Sequence, residues 1–288
     1  MFSKIQQLLG GKIKYMVTGS APIASDVLEF LKIAFACPIF EGYGLTETSG
    51  ASYLTFGEDQ TPGQVGGPVA NVKVRLRDIP EMNYYSTDDP PRGEVCFKGS
   101  GVSAGYYKNP EKTAEAFDSE GWFMSGDVGQ VNPNGSLQIV DRAKNIFKLS
   151  QGEYIAPEKL ENIFIQSGWV AQCWVHGDSL HDFCMLFIVV DEEKVKSWAK
   201  TNSLDFDDKL MENDLLREQV YSDVLELAAK NKLNSLEKPK QMMLLKDPWT
   251  IEDDILTPTL KMKRNIAKKR YESDITRMYD AGAMTTTQ

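Results

Sequence analysis

The spacing of apolar positions changes character along the chain. From Ile13 to Thr18 a short run ends in β-branched residues and breaks at Gly19-Ser20-Ala21-Pro22, which predicts a strand followed by a tight loop. Val27, Leu28, Leu31, Ala34 and Phe35 then recur at helical spacing. A helix is therefore expected to begin near Ser25, whose hydroxyl suits an N-cap. Pro38 stops it, and Ile39–Phe40 begins the next strand. Strand, loop, helix, strand is the grammar of an open α/β sheet.

From Thr61 the period shortens. Thr61-Pro62-Gly63 and Gly66-Gly67-Pro68 are turn clusters, and Val72, Val74 and Leu76 alternate with Lys73, Arg75 and Arg77 as in a half-buried strand. Asp88 to Gly93 reads as a turn, and Glu94 to Lys98 as a strand. Asn132-Pro133-Asn134-Gly135 reads as a hairpin turn joining Asp127–Val131 to Ser136–Val140. Short strands throughout 61–140 predict a small barrel or sandwich.

Beyond Lys144 the pattern is mixed. Pro157 opens a helix with Leu160, Ile163 and Phe164 on one face. Strands are expected at Trp169–Val175 and Phe183–Val190, then a helix capped by Asp191. Leu216, Val220, Val224 and Leu227 mark a longer amphipathic helix. The expected class is α/β plus α+β in three regions: 1–60 as part of an α/β subdomain, 61–143 as a β-rich subdomain, and 144–288 as a compact α+β domain. No internal repeat is visible, and the end, Met284 to Gln288, is expected to fray.

Composition narrows the function classes. The 288 residues are 42% hydrophobic and 25% charged, ordinary for a soluble globular protein. A net charge of -9 argues against a general nucleic-acid binder, which needs excess Lys and Arg. The four cysteines, Cys37, Cys96, Cys173 and Cys184, form no C-x-x-C pair, so a reducing compartment is expected rather than a disulfide scaffold. Met1 to Gly10 holds no apolar signal core. The longest apolar run, Phe183 to Val190, is far short of a bilayer span and fits a buried strand.

Candidate chemistry gathers in four segments. In Glu41-Gly42-Tyr43-Gly44-Leu45-Thr46-Glu47-Thr48, two glycines permit close backbone approach to a ligand. Tyr43 offers a flat face to a purine, Thr46 a hydroxyl to phosphate, and Glu47 a hard carboxylate to Mg²⁺. A plain strand-to-helix turn is the alternative. In Trp122-Phe123-Met124-Ser125-Gly126-Asp127, the Asp127 carboxylate can accept two hydrogen bonds from a ribose; a capped turn is the alternative. The third segment runs Asp141-Arg142-Ala143-Lys144-Asn145-Ile146-Phe147-Lys148, then Gly152-Glu153-Tyr154 and Pro157-Glu158. The fourth is Leu256-Thr257-Pro258-Thr259-Leu260-Lys261-Met262-Lys263-Arg264. Its alternative is a solvated basic helix, since Lys261 to Arg270 holds six cations.

In this order the segments resemble the adenylate-forming (AMP-binding) superfamily, which contains acyl-CoA synthetases, coumarate-CoA ligases, luciferases and peptide-synthetase adenylation domains. The match runs from Val17-Thr18-Gly19-Ser20-Ala21-Pro22 to Lys261. Between the segments it includes Pro91-Arg92-Gly93-Glu94-Val95-Cys96, Gly105-Tyr106-Tyr107-Lys108-Asn109-Pro110 and Thr113 to Phe117. Lys148 to Pro157 and Thr257-Pro258-Thr259-Leu260-Lys261 are similar to the long-chain branch, the long-chain fatty acid–CoA ligases. Other branches tend to carry Gly where Leu260 stands.

The resemblance implies a role for each matched residue. Ala21, Pro22 and Tyr43 would sandwich the adenine of ATP or AMP. Thr46 would contact the α-phosphate, and Glu47 would hold Mg²⁺. Asp127 and Arg142 would fix the ribose, and Lys144 would be the hinge. Gly152 would meet coenzyme A, and Lys261 would be the catalytic lysine. Region 144–288 would be the carboxyl-terminal lid domain. The implied reaction joins a long-chain fatty acid to AMP and then to the thiol of coenzyme A, releasing AMP and pyrophosphate. A ligase for a medium-chain or aryl acid, and a non-catalytic nucleotide-binding fragment, are the alternatives.

The resemblance covers the carboxyl-terminal part, less than half, of a full synthetase. The superfamily's Ser/Thr/Gly-rich phosphate loop lies upstream of the first segment here; Thr48-Ser49-Gly50 is the nearest echo and has no following lysine. A piece of a longer enzyme, a truncated gene model and one part of a split enzyme all fit. The expected location is cytoplasmic or peripheral to endoplasmic reticulum, peroxisome or mitochondrial outer membrane, with any membrane attachment through segments outside this chain.

Two decoys remain. Gly99-Ser100-Gly101 with Gly105 is one residue off a dinucleotide fingerprint and reads as a bend. Cys173, His176, His181 and Cys184 have the residue types of a zinc site, but both cysteines fall in apolar strands, which argues against one.

Overall fold

The computed structural model describes residues 2–284 except positions 58 and 60. The chain divides into two compact units at Lys144/Asn145. The expectation that the end frays falls, beyond Met284, outside the described residues.

The first unit opens with α1 (Ser3–Leu8), β1 (Met16–Gly19), α2 (Ser25–Phe35) and β2 (Ile39–Leu45). β1 and β2 pair in parallel, Met16 opposite Ile39. Ser25 is the first helical residue rather than the cap: Ala24 takes the N-cap position with extended backbone and no side-chain bond. α2 ends at Ala36, which adopts φ 52°, and Pro38 follows. Leu28 and Ala34 are buried, whereas Val27, Phe30 and Ile33 are exposed. β3 (Gly50–Leu54) and β4 (Gly67–Pro68) extend the sheet antiparallel, in the order β1-β2-β3-β4.

The second sheet is a meander of β5 (Val72–Arg77), β6 (Arg92–Gly99), β7 (Phe123–Val131) and β8 (Leu137–Arg142), with α3 (Pro110–Ala116) between β6 and β7. The barrel alternative is corrected here: no pairing among the described residues joins β5 to β8, and the sheet stays open. The edge of β8 is instead met by the segment leading into β4. Val65 N–H donates to Leu137 O at 2.8 Å, and Leu137 N–H donates to Gly66 O at 2.9 Å. Tyr53, Val95, Phe97, Phe123 and Leu137 form this unit's core.

The second unit begins with a short hairpin, β9 (Phe147–Lys148) and β10 (Tyr154–Ile155), leading into α4 (Pro157–Phe164). β11 (Val170–His176) and β12 (Met185–Val190) pair antiparallel. Then come α5 (Glu192–Thr201), α6 (Asp214–Lys230), β13 (Gln241–Leu245), α7 (Arg264–Arg270) and α8 (Glu272–Asp280). Asp191 caps α5 by accepting from Lys194 N–H. β13 adds in parallel to β12, giving the order β11-β12-β13.

β12 is buried at every position. Leu186, Ile188 and Val190 pack with Leu160 and Phe164 of α4 and Leu216, Val220 and Val224 of α6. Met185, Phe187 and Val189 pack with Trp174, Trp249, Ala267 of α7 and Ile275 of α8. Alternate residues thus serve two cores, which is why this strand reads as an unbroken apolar run. Each such side chain contributes about 1.5–3 kcal/mol on burial.

Candidate active site

β2 runs straight into the first motif. Tyr43 and Gly44 lie near the end of the strand, which Leu45 closes, and Thr46 to Thr48 form one 3-10 turn. Thr48 is buried and pins this turn. Its hydroxyl donates toward Leu45 O and Gly50 O (3.1 and 2.9 Å) and accepts from Leu45 N–H at 3.0 Å. Gly44 allows the strand to pass Gly50: a Cβ there would lie 1.9 Å from Gly50 O. The turn leaves Thr46 exposed and Glu47 half-exposed.

β7 and β8 supply the second group. Asp127 lies directly opposite Arg142 in their register. The Asp127 side chain is buried, 5% exposed as a residue. Tyr43 O–H donates to its Oδ2 at 2.6 Å, and Arg142 Nε lies 3.4 Å from its Oδ1. Burial pushes the Tyr43 hydroxyl well above its ordinary pKa, and the Asp127 charge adds to the shift. Tyr43 therefore stays protonated and donates. Its ring is flanked by Phe97 and Tyr53, with centroids 6.0 and 6.5 Å away.

Three site residues thus converge in the first unit: Tyr43, Asp127 and Arg142. Thr46 and Glu47 sit on the turn that follows Tyr43. Ala21 and Pro22 are exposed in the loop after β1, which pairs with β2. Lys144 is exposed in the turn after β8.

In the second unit, Gly152 stands in the loop of the β9–β10 hairpin at φ 95°, where a side chain would be strained. Its N–H donates to Leu149 O at 2.9 Å. Lys261 is not on a basic helix, because α7 begins only at Arg264. It ends a tight turn on a short two-stranded stem, with Leu256 bridged to Met262. Thr257 N–H donates to Lys261 O at 2.8 Å, and Lys261 N–H donates to Thr257 Oγ1 at 3.0 Å. Leu260 takes φ 60° here, the left-handed region that glycine adopts without strain.

Several supporting residues escaped the sequence reading. Tyr106 O–H donates to Glu47 Oε1 at 2.7 Å, and Ser103 N–H donates to Glu47 O at 2.7 Å. Glu94 is buried in β6, accepts from Gly126 N–H at 2.9 Å and pairs with Arg77 at 2.5 Å. It thereby holds the turn before Asp127. An acid directly before the apolar run Val95-Cys96-Phe97 was the available signal. Tyr106 stood in a matched stretch, but nothing there pointed to its partner Glu47, 59 positions away.

The donor set bears on a metal. Among the described residues no cluster of three or more His, Cys, Asp or Glu could hold an ion, and this applies equally to the Cys/His set around His176. Glu47 instead offers a single half-exposed carboxylate beside the Thr46 hydroxyl. That suits Mg²⁺, which keeps waters and takes one or two carboxylates together with substrate phosphates.

The AMP-binding enzyme family model matches residues 2–107. The chain is 42% identical over 97% of its length to the peroxisomal long chain acyl-CoA synthetase 7 of Arabidopsis thaliana, covering 40% of that protein. It is 44% identical over 98% of its length to long-chain-fatty-acid–CoA ligase 5 of Mus musculus, covering 41%. The adenylation domain of a Mycobacterium chelonae carboxylate reductase superposes with TM-score 0.82 at 30% identity, over 96% of this chain and 41% of that one. A carboxylic acid reductase A domain from Segniliparus rugosus, solved with AMP and a co-purified carboxylic acid, gives 0.81 at 32%, over 98% of this chain and 42% of that one. The chain thus spans about two fifths of the length of the relatives it matches. It belongs to the adenylate-forming, AMP-binding superfamily and corresponds to a carboxyl-terminal portion of the long-chain acyl-CoA synthetases.

Proposed function

We propose that this chain supplies the ribose-binding and lysine-bearing part of a long-chain fatty acid–CoA ligase. The observation that carries the reading is the buried Asp127 carboxylate, oriented by Tyr43 and Arg142. Oδ2 accepts from Tyr43 and Oδ1 lies against Arg142, an arrangement that orients the carboxylate as an acceptor for ribose hydroxyls. Tyr43, with Ala21 and Pro22 in the loop after the paired strand, forms the adenine side. Thr46 faces the α-phosphate.

Bound at Glu47, Mg²⁺ supplies charge neutralisation for the leaving pyrophosphate. In the first step a fatty-acid carboxylate attacks the α-phosphorus, and negative charge grows on the phosphate oxygens. Lys261, fixed at its backbone by Thr257, supplies the compensating cation. In the second step the coenzyme A thiol attacks the acyl carbonyl and AMP leaves, with the backbone at Gly152 admitting the thiol arm. Lys144, exposed where the two units meet in sequence, is the pivot for exchanging the two loops between steps. The partners are the fatty acid, ATP or AMP, and coenzyme A; nucleic acid is not among them. The location is cytoplasmic or at the surface of an intracellular membrane. Among the described residues no helix is long and apolar enough to cross a membrane.

Calorimetry of the chain with AMP and ATP, with and without Mg²⁺, tests the nucleotide site. Binding that weakens on Asp127→Ala supports it, whereas no binding by folded protein withdraws it for this chain alone. In the complete protein, fatty-acid-dependent pyrophosphate release should be lost on Lys261→Ala, and a panel of long-chain, medium-chain and aryl acids decides the substrate class.

A further inference from the structure

Arg264 and Glu161 stand 103 positions apart and form a two-pronged ion pair, Nη1 to Oε1 at 2.8 Å and Nη2 to Oε2 at 2.6 Å. Both side chains are mostly buried, at 18% and 15% exposure. Glu161 Oε1 also accepts from Val175 N–H at 2.8 Å, tying α4 to β11. Burial raises the Glu161 pKa, while Arg264 opposes the shift by favouring the charged form.

A buried ion pair of this kind adds little net stability, because desolvation offsets the attraction. Its fork geometry does fix distance and orientation. Here it joins the two loops that carry the proposed steps. Arg264 directly follows the Lys261 stem, which closes with Lys263 N–H donating to Ile255 O at 2.8 Å and the Leu256–Met262 bridge. Ile255 and Leu256 are buried, so that stem is anchored on both sides. Glu161 lies on α4, which continues from the Gly152 hairpin through buried Ile155 and Pro157. The hairpin itself is closed by Leu149 N–H donating to Glu153 O at 2.8 Å.

We propose that Arg264 and Glu161 are positioning residues that lock the Lys261 turn and the Gly152 hairpin into one rigid body, so that neither loop can shift without the other. The two roles rest on the ligase reading, whereas the mechanical coupling does not. The ion pair explains why a bidentate fork, rather than an apolar contact, occupies this buried position: it sets the offset between two loops that must act in turn at one centre.

Hydrogen exchange read by mass spectrometry on the full chain tests the coupling directly. Arg264→Lys keeps the charge and loses the fork. Exchange should rise about tenfold in both 257–263 and 149–155, the size of effect expected inside one ion-pair network, with β12 amides unchanged. A rise confined to 257–263, or a uniform rise across the unit, overturns the proposal. Should that variant not fold, Glu161→Gln with Arg264→Gln retains a neutral hydrogen-bonded pair. The same two-loop rise supports the proposal, and wild-type exchange in both loops overturns it. Lys261→Ala with unchanged pyrophosphate release in the complete protein would sink the catalytic reading and leave the exchange result standing.

Discussion

The two units treat their apolar surface differently. The second covers it: β12 is shielded on both faces by helices, and its exposed large apolar residues, such as Leu180 and Leu215, are scattered. The first leaves Tyr15 and Val17 at the edge strand and Val27, Phe30 and Ile33 on α2 in solvent. These α2 residues share helical spacing with buried Leu28 and Ala34, so the helix is apolar on more than the face it packs. Hydrophobic spacing therefore reports a side chain's suitability for burial, while the neighbouring element decides whether burial happens.

The largest test of this contrast is truncation of one aromatic in each unit. Phe187→Ala should lower stability by about 3–5 kcal/mol, because it empties a closed core. Phe30→Ala should stay within about 0.5 kcal/mol of wild type and reduce binding of a hydrophobic dye. Chemical denaturation measures both, and a Phe30 cost matching that of Phe187 would erase the contrast.

Acid should separate the units next. Both histidines fall in the second. Burial lowers the His176 pKa from 6.5 to about 4, and its Nε2 has no partner. The unfolded chain therefore binds a proton that the folded chain refuses between those values. Stability is full above about pH 6.5 and falls as pH drops toward 4, by up to about 3 kcal/mol. Melting curves of wild type and His176→Gln across that window should converge as the pH falls.

A smaller effect is expected at the ribose-binding group of the first unit. Tyr43→Phe removes one donor from a buried carboxylate that keeps Arg142. It should cost about 1.5–3 kcal/mol and weaken AMP binding in the same preparation. If stability falls and affinity does not, Tyr43 braces the fold only.

The smallest pair concerns backbone strain. Ala36 and Leu260 both take left-handed φ, at 52° and 60°. Replacing either with Gly should gain about 1 kcal/mol or less, since relief of strain is partly offset by unfolded-chain entropy. At Leu260, pyrophosphate release in the complete protein should change along with stability. At Ala36 it should not.

Much of the fold was legible because it rests on local rules. Pro157 opens α4, Asp191 caps α5, and the Asn132–Gly135 turn joins β7 to β8 where a hairpin was expected. What failed was non-local. A barrel and an open meander have the same strands and differ only in whether the edges meet; here Val65 and Gly66 take the edge of β8. β13 was overlooked because its Met-rich stretch lacks alternation; its parallel pairing with β12 defines it. For the run from Lys261 to Arg270, a solvated basic helix stood as the alternative reading. Leu256–Met262 pairing and the left-handed Leu260 place Lys261 in a turn instead.

The sequence by itself determined the main strands and helices around its motifs and the residue types offered for nucleotide chemistry, because periodicity, turn residues and motif spacing act over a few positions. Only the tertiary structure decided that Tyr43 donates to Asp127 across 84 positions and that Arg264 grips Glu161 across 103. Such partners meet through strand register and helix packing, which depend on the whole core being assembled at once.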